Sequence, residues 1–173
     1  MDWNKIHPAQ ILTPSQPEAK RQTCSAIALA CILHNLYMQT FLPYASFEQT
    51  ATILDWRRLG NQRLEGRQIL KIITTPDYVG AWAHHPAVKM WRGYENALKL
   101  YVNTMIAEWK CREYLNTLLS YDLAGVEMIF PEWLGDPRFH DSHKSNLLRK
   151  YPEYYSQFHW DVPNNLPYFW PVK

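Results

Sequence analysis

HPAVKMWRGYENALKLYVNTMIAEWKCR, residues 85–112, is the stretch that decides the fold class. Proline at its second position suits the first turn of a helix, where a missing N–H costs nothing. Apolar and aromatic side chains then recur every three or four residues, the period of one helix face, at Trp91, Tyr94, Leu98, Tyr101, Met105 and Trp109. The pattern therefore predicts a long amphipathic helix from His85 to about Arg112.

The segment before this helix also carries helical signals. Ser46, followed by Phe-Glu-Gln, is typical of a helix start, and we predict a helix from there to about Arg58. Gly60-Asn61 then indicates a break. A second helix is predicted over residues 62–73, ending before Thr75-Pro76.

The two ends of the chain differ in character from this middle part. MQTFLPY (38–44) is typical of an extended arm. A loop is predicted over 131–137 and a helix over 139–149. An aromatic tail follows from 151 to 173, and we expect most of its rings to cap the core. Residues 1–37 contain several prolines and no amphipathic period, so we expect a poorly ordered extension or an upstream-start artefact. The prediction is a mainly α protein, in which residues 38–173 form a single compact helical domain with a long central helix and a loop-rich C-terminal tail.

Composition and charge exclude several classes of protein. Hydrophobic residues make up 47% of the chain and charged residues 20%, and the net charge of +2 is too small to indicate an anionic partner by itself. Three cysteines without metal-ligand spacing argue against a disulfide framework or a zinc module. The longest apolar run, 24–36, is too short to span a membrane. We therefore expect a cytoplasmic protein that uses no cofactor.

A basic segment between Asp55 and Lys71 contains the first candidate site. Clustered arginines suit contacts with phosphate, and this segment holds Arg57, Arg58, Arg63 and Arg67. On a helix, Glu65 shares a face with Ile69 and Ile72, so its carboxyl group is expected on the half-buried side. Burial of an unpaired carboxyl raises its pKa, which is how general acids and bases are made. The alternative is a structural ion pair between Glu65 and a neighbouring arginine.

A second basic cluster, RFHDSHKSNLLRK, occupies residues 138–150. His140 and His143 share one helical face, so a metal site completed by His84 or His85, or a His-dependent nuclease, is one alternative. Because the spacing fixes no third ligand, we expect no metal and instead phosphate contacts from Lys144, Ser145, Asn146, Arg149 and Lys150. A basic face that is merely solvated is the other alternative.

Three stretches of the chain resemble the pyrimidine-dimer DNA glycosylase (endonuclease V-like) family. They are MQTFLPYASFEQTATILDWRRLGNQRLEGRQIL (38–70), HPAVKMWRGYENAL (85–98) and the region from Pro131 through HDSHKSNLLRKYPEYY. The resemblance is closest to family members of uncharacterised activity, and it covers 38–173 but not 1–37. It implies a helical domain that binds damaged duplex DNA, flips a base, and cuts the glycosidic bond with an N-terminal amine and a glutamate. By this resemblance Glu65 is the catalytic glutamate, and Arg58, Arg63 and Arg67 contact phosphates.

The amine is where this sequence departs from the family. The family's enzyme exposes a small residue after methionine removal, whereas Met38 is internal here and is followed by the larger Gln39. Either the amine of Met38 itself is the nucleophile, or a lysine such as Lys89 or Lys144 replaces it, or the chemistry is lost or altered. We expect a monomeric DNA glycosylase, with or without AP-lyase activity, that acts on damaged or modified pyrimidines and has no membrane partner. Lys89 and Arg92 are added to the predicted DNA contacts, and a non-catalytic nucleic-acid-binding module or a nuclease using His140 and His143 remains the alternative.

Overall fold

The computed structural model describes residues 38–172, and the expectations for residues 1–37 lie outside this part of the chain. The regular elements of the described part are all helical, which confirms the mainly α prediction. In chain order they are α1 (Phe47–Ile53), α2 (Trp56–Thr74), α3 (Pro86–Lys89), α4 (Glu95–Cys111), α5 (Pro137–Lys150), α6 (Pro152–Tyr155) and a 3-10 helix (Ser156–Phe158). None of these helices is long and apolar enough to cross a lipid bilayer.

The chain from residue 46 to residue 74 forms two helices, but they separate earlier than predicted. α1 begins after Ser46, as expected, and the Ser46 hydroxyl accepts a hydrogen bond from the Gln49 N–H at 3.0 Å. It ends at Ile53 instead of Arg58, because Asp55 caps α2 by accepting hydrogen bonds from the first N–H groups of that helix. The sequence-based boundary failed since Asp55 was counted as a helical residue and not as a cap.

The predicted break at Gly60-Asn61 is wrong, because both residues lie inside α2. A Cβ atom at position 60 would lie only 3.1 Å from Cζ3 of Trp109 in α4. Glycine therefore allows the close approach of an indole ring here, and it does not end the helix.

The single helix predicted over 85–112 is interrupted between α3 and α4. Gly93 has a φ angle of +83°, a left-handed conformation that glycine adopts without strain and that a continuous α-helix excludes. Its N–H donates to the Glu95 carboxylate at 2.9 Å, at the start of α4. The apolar stripe nevertheless faces inward as predicted, since four of its members are buried: Trp91, Leu98, Tyr101 and Met105.

Gly66 sets the distance between α2 and α4, the two longest helices and a principal packing pair of the described domain. A Cβ atom built on Gly66 would lie 2.6 Å from Cγ2 of Val102, which is well inside van der Waals contact. The two helices therefore pack with a side chain of α4 directly against the backbone of α2.

Gly66→Ala is expected to lower the free energy of unfolding by about 1–3 kcal/mol, although alanine is the better helix former. The cause is the clash with Val102, so Gly66→Ala combined with Val102→Ala should be less destabilised than the sum of the two single variants. Urea denaturation of the three variants measures this coupling. Strictly additive effects would show that Gly66 is not in tight contact with Val102.

α5 and the tail close the domain. α5 begins at Pro137, two residues before the predicted start, because Asp136 caps it by accepting from the Arg138 N–H at 2.9 Å. Most of the tail aromatics pack against the core as expected, whereas Tyr151 is exposed. Tyr155 is fully buried and its hydroxyl donates to the Asp55 carboxylate at 2.7 Å, so the tail is tied to the start of α2.

Residues 112–136 form a long irregular segment, of which the sequence had indicated only the 131–137 loop. Side chains of α4 hold this segment in place. Asn103 pairs with the backbone of Tyr121 at both polar groups, donating to its carbonyl at 2.8 Å and accepting from its N–H at 2.7 Å. An ordered loop of this length without secondary structure is uncommon and usually has a function.

Candidate active site

The arm at residues 38–42 is buried but belongs to no strand, so side chains satisfy its backbone polar groups. The Gln39 N–H donates to Oε2 of Glu65 at 2.9 Å, and the Phe41 N–H donates to Oε1 of Gln62 at 2.8 Å. The Tyr101 hydroxyl donates to the same Gln62 oxygen at 2.8 Å and contacts the Phe41 carbonyl at 3.0 Å. The arm is thereby fixed against α2 and α4, with the nitrogen of residue 39 at the carboxylate of Glu65.

Two histidines of α5 hold the next residue of the arm. Nδ1 of His143 accepts from the Leu42 N–H at 3.2 Å, and Nδ1 of His140 lies 2.7 Å from the Leu42 carbonyl, to which it donates. Nε2 of His140 then accepts from the Gly135 N–H at 2.9 Å. Three of the four ring nitrogens are therefore occupied by backbone groups. These contacts favour a positioning role for both imidazoles over the metal-binding or nuclease role that the sequence suggested.

The electrostatics of both histidines agree with this role. Burial lowers the pKa of His140, and burial together with the neighbouring His140 lowers the pKa of His143 to about 3. Both rings are therefore neutral at physiological pH. His84 is exposed, and His85 uses Nδ1 to cap α3 by accepting from the Ala87 N–H at 3.2 Å. Within residues 38–172 no group of three or more metal-ligating side chains occurs.

The fold also shifts the pKa of Glu65, the carboxyl group that contacts the arm. Burial raises its pKa to about 7, against the opposing effects of hydrogen bonds from the Gln39 N–H and the Gln62 amide and of the charge on Lys150. The Gln62 amide nitrogen lies 3.4 Å from Oε2 of Glu65. The predicted inward orientation of Glu65 is found, and no arginine pairs with it among the salt bridges of the described residues. A carboxyl group with a pKa near neutrality can both take up and release a proton at working pH.

Lys150 of the second basic cluster acts on this carboxyl group, and Arg58 of the first cluster acts on Lys150. Desolvation lowers the pKa of Lys150, with further lowering by Arg58 and Arg149, while the charge of Glu65 acts in the opposite direction. Burial raises the pKa of Tyr168, in the tail, to about 12, and the charges of Arg149, Arg58 and Glu65 also act on this group. The fold thus brings Arg58 of α2 and Arg149 and Lys150 of α5 to the neighbourhood of Glu65, a grouping that sequence distance alone did not reveal.

Arg58 also has a structural partner. Its Nη1 lies 2.7 Å from the Asp55 carboxylate, and its guanidinium lies 5.6 Å from the centre of the Tyr155 ring. The pKa of Asp55 is lowered overall: burial would raise it, but hydrogen bonds from Tyr155 and Arg58 outweigh that effect. The Arg58 side chain is thereby held in one direction beside the arm.

Arg63 and Arg67, predicted to contact phosphates, are engaged with the 112–136 segment instead. Nη1 of Arg63 donates to Oδ1 of Asn116 at 2.7 Å, and its guanidinium lies 3.9 Å from the centre of the Trp109 ring. Nη1 of Arg67 donates to the Leu119 carbonyl at 2.9 Å. Arg63 is buried, and its side chain anchors the 112–136 segment.

Ser145 and Asn146 are also placed differently from the expectation. Both are fully buried, and both contact the backbone of Leu166 in the tail. The Ser145 hydroxyl accepts from the Leu166 N–H at 2.9 Å, and the Asn146 amide donates to the Ser142 carbonyl at 2.7 Å. They hold the tail against α5, and phosphates cannot reach them in this arrangement.

The remaining predicted DNA contacts lie on the surface of the described domain. Arg57 is exposed and stacks on Trp56, with 5.1 Å from its guanidinium to the ring centre, and Lys89 is exposed on α3. Arg92 is exposed and contacts the Ala83 carbonyl at 3.2 Å. The Lys144 ammonium lies 2.9 Å from the Asp141 carboxylate.

Sequence reasoning missed three residues of this site. Gln39 contributes its backbone nitrogen, which no residue pattern can indicate. Gln62 lies three residues before Glu65 on the same helix face, so the helical period alone would have been sufficient to find it. Tyr168 lies in the tail, and its position depends on the contacts of that tail with α5.

Comparison with known proteins agrees with the resemblance noted in the sequence. Residues 38–122 match the family model described as pyrimidine dimer DNA glycosylase. The match contains the arm, Gln62 and Glu65, whereas α5 with its histidines and Lys150 lies beyond it. No curated protein and no solved structure is significantly similar to the chain. Over residues 38–122, the chain is similar to the pyrimidine dimer DNA glycosylase family.

Proposed function

We propose that this protein removes damaged or modified pyrimidines from duplex DNA, with Glu65 as the catalytic carboxylate. The match to the family model supports a DNA-repair glycosylase at the level of the family. The observation that carries the proposal for this chain is the 2.9 Å contact between Oε2 of Glu65 and the backbone nitrogen of Gln39. A nucleophile and its proton acceptor need this kind of distance.

Cleavage of the peptide bond between Met38 and Gln39 would turn this nitrogen into a primary amine beside Glu65. An α-amine has a pKa of about 7.7–8.0 in the absence of perturbation, close to the pKa of about 7 for Glu65, so a proton moves between the two groups at little cost. The amine forms a bond to C1′ of the nucleotide as the bond from C1′ to the base breaks, and the base leaves with the electron pair and takes up a proton. The amine passes its own proton to Glu65, which transfers it to O4′ as the C1′–O4′ bond breaks, and the resulting Schiff base is the starting point of AP-lyase chemistry.

The position of the nitrogen supports one of the nucleophiles that the sequence left open. The contact with Glu65 is made by residue 39 and not by the nitrogen of Met38, the residue first expected to supply the amine. Lys144 is held by Asp141. Lys89 lies exposed on α3. The nitrogen of Gln39 is therefore the candidate that the geometry favours.

Phosphate contacts beside the site are assigned in this proposal to the cations near Glu65, which are Arg58, Arg149 and Lys150. Arg57, Lys89, Arg92 and Lys144 are proposed as outer contacts with the duplex. Ser145, Asn146, Arg63 and Arg67 are left out of this set because they support the fold. We further propose that the protein acts as a monomer in the cytoplasm.

Borohydride trapping tests the mechanism. A chain that begins at Gln39, released from an N-terminal fusion, is compared with the chain that begins at Met1, using a duplex that contains an abasic site. We expect a covalent adduct only with the chain that begins at Gln39, and mass spectrometry of the trapped peptide should place the adduct on the amine of residue 39. An intact mass must first show that the terminal glutamine has not cyclised, since cyclisation consumes the amine.

Two results would contradict this mechanism. An adduct on a lysine would show that a side-chain amine replaces the terminal one. Salt-sensitive DNA binding without any adduct, unchanged in Glu65→Gln, would identify a non-catalytic binding module.

A further inference from the structure

Two leucines of the 112–136 segment protrude from the surface. Leu115 is 89% exposed and Leu119 is 82% exposed, whereas Leu118 between them is half-buried. Single exposed leucines are common on protein surfaces. Two of them, four residues apart on a loop that is fixed in place, form a defined apolar projection.

The backbone that carries these leucines is anchored at each of them. The Leu115 carbonyl accepts from the Trp109 indole N–H at 2.9 Å, and the Leu119 carbonyl accepts from Arg67 at 2.9 Å. Between them, Asn116 accepts from Arg63 at 2.7 Å. The carbonyl groups face inward to α2 and α4 while the two side chains extend into solvent, so the projection is presented rigidly and at low entropic cost on binding.

The projection lies along the helix that carries Glu65. Arg63 and Arg67 are one turn apart on α2 and bind the loop on one flank of that helix, whereas Glu65 faces its other flank. Leu64, which is 55% exposed, lies on the outward face between them. A duplex that crosses the outward face of α2 would meet Glu65 on one side and the two leucines on the other.

We propose that Leu115 and Leu119 form a wedge that enters the base stack of duplex DNA next to the nucleotide presented to Glu65. Proteins that unstack DNA do so with apolar side chains such as leucine, placed between basic residues that hold the phosphates. Exposed cations on the adjoining helices fit this partner, namely Arg57 and Lys71 of α2 and Lys110 of α4. The inference rests on the proposed function, because an enzyme that reaches C1′ of a stacked nucleotide must open the stack.

The test uses the chain that begins at Gln39, which carries the proposed amine, with Leu115→Ala and Leu119→Ala combined, and with Val79→Ala as the control. Val79 is 94% exposed, so the control removes exposed apolar surface from another loop. The probe is a duplex that carries 2-aminopurine beside a pyrimidine dimer. Its fluorescence reports unstacking, and anisotropy on undamaged duplex reports affinity.

We expect wild type and Val79→Ala to raise the 2-aminopurine fluorescence and the double variant to leave it near the level of free DNA. The double variant should cleave the stacked lesion about tenfold or more slowly, and should approach the wild-type rate when the lesion faces a gap that already unstacks it. Affinity for undamaged duplex should change less than about twofold, because phosphate contacts dominate it. Leu115→Met combined with Leu119→Met should keep the unstacking.

Each contrary outcome has a distinct meaning. Equal unstacking and equal cleavage by the double variant would overturn the wedge and leave the Glu65 mechanism intact. Unstacking that depends on the leucines, without any cleavage by wild type, would support the wedge and overturn the glycosylase proposal. A wild type that forms dimers which the double variant does not form would show that the leucines bind a second copy of the chain, and would overturn the wedge.

Discussion

Glu65→Gln is expected to slow cleavage of DNA by about 10²–10⁴-fold and, at the same time, to stabilise the fold above pH 7. Both effects have one cause, which is the burial of the Glu65 carboxyl group away from water. Burial raises the pKa of Glu65 to about 7, so its ionised form is disfavoured in the folded protein. Glutamine keeps the carbonyl oxygen that accepts from the Gln39 N–H but has neither a charge nor a proton to exchange.

The loss of activity follows from the proposed proton transfer. Without a carboxylate beside the nitrogen of residue 39, the amine has no proton acceptor and the developing positive charge on the sugar has no counterion. General acid–base catalysis contributes typically about 10²–10⁴-fold, and we expect kcat to fall by that factor. The wild-type rate should rise from pH 5 to pH 7 as Glu65 loses its proton, and this rise should be absent in the variant. Single-turnover kinetics of the chain that begins at Gln39, with a duplex containing a pyrimidine dimer, measures both.

The gain in stability has a pH window set by the two pKa values of Glu65. The unfolded chain releases the proton near pH 4.5 and the folded protein near pH 7, so wild type loses stability as the pH rises between these values. The cumulative cost is about 3 kcal/mol, and it stays constant above pH 7. The advantage of Glu65→Gln in urea denaturation should therefore grow from pH 4.5 to pH 7 and then level off.

Glu127→Gln supplies the control, because it makes the same chemical change on an exposed loop. It should alter the free energy of unfolding by no more than about 0.5 kcal/mol at any of these pH values. A stability difference between wild type and Glu65→Gln that is the same at pH 5 and pH 8 would contradict the burial of an ionisable carboxyl. Full activity of Glu65→Gln would contradict its catalytic role.

How far the sequence predicted this site depends on whether a contact is local. The helical period placed Glu65 on the inward side of its helix and the stripe around Tyr101 in the core, because a period of 3.6 residues is a property of the segment itself. A local helix-start signal likewise located the cap at Ser46. These features need no knowledge of what packs against the helix.

The partners of the polar side chains could not be predicted in this way. Arg57 and Arg63 are equivalent in a sequence pattern, yet Arg63 is buried because its partner Asn116 comes from a loop more than fifty residues away. His140 and His143 share a helix face that suits a metal. Only the fold reveals that both imidazoles bind the backbone of Leu42, which lies 98 and 101 residues earlier in the chain. The predicted helix break at Gly60 was wrong for a similar reason, because Gly60 lies close to Trp109, which belongs to another helix.

Acidification from pH 6.5 to pH 3 is expected to destabilise the protein by about 5 kcal/mol through His143 alone. Burial lowers the pKa of this imidazole from 6.5 to about 3, so in this window the unfolded chain binds a proton that the folded protein does not. Stability therefore falls as the pH falls through the window, and this contribution is complete below pH 3. A loss of this size is comparable with the total stability of many small domains.

The structural reason is the direction of the hydrogen bond at Nδ1. Nδ1 of His143 accepts from the Leu42 N–H at 3.2 Å. A protonated imidazole would carry a hydrogen on Nδ1, and this N–H would point at the Leu42 N–H. The ring also packs 4.4 Å from the centre of Phe139, where a charge has no solvent. Protonation should therefore release the arm and move the nitrogen of Gln39 away from Glu65, so activity is lost with the fold.

His143→Asn tests this account, because the asparagine oxygen can accept from Leu42 in place of Nδ1 but does not titrate. The variant loses the ring packing and should be less stable than wild type at pH 7, yet its stability should fall less steeply between pH 6.5 and pH 3. His159→Asn is the matched control, since His159 is exposed and has a φ angle of +49° that asparagine tolerates. Urea denaturation at pH 7, 5 and 4 compares the three proteins. If wild type and His143→Asn lose stability in parallel over this range, the neutral imidazole is not what holds the arm. If instead the two stability curves converge as the pH falls, the neutral imidazole holds the arm. Glu65 then opposes folding as the pH rises above 4.5, and His143 opposes it as the pH falls below 6.5. The two groups together oppose folding of the arm least between those values.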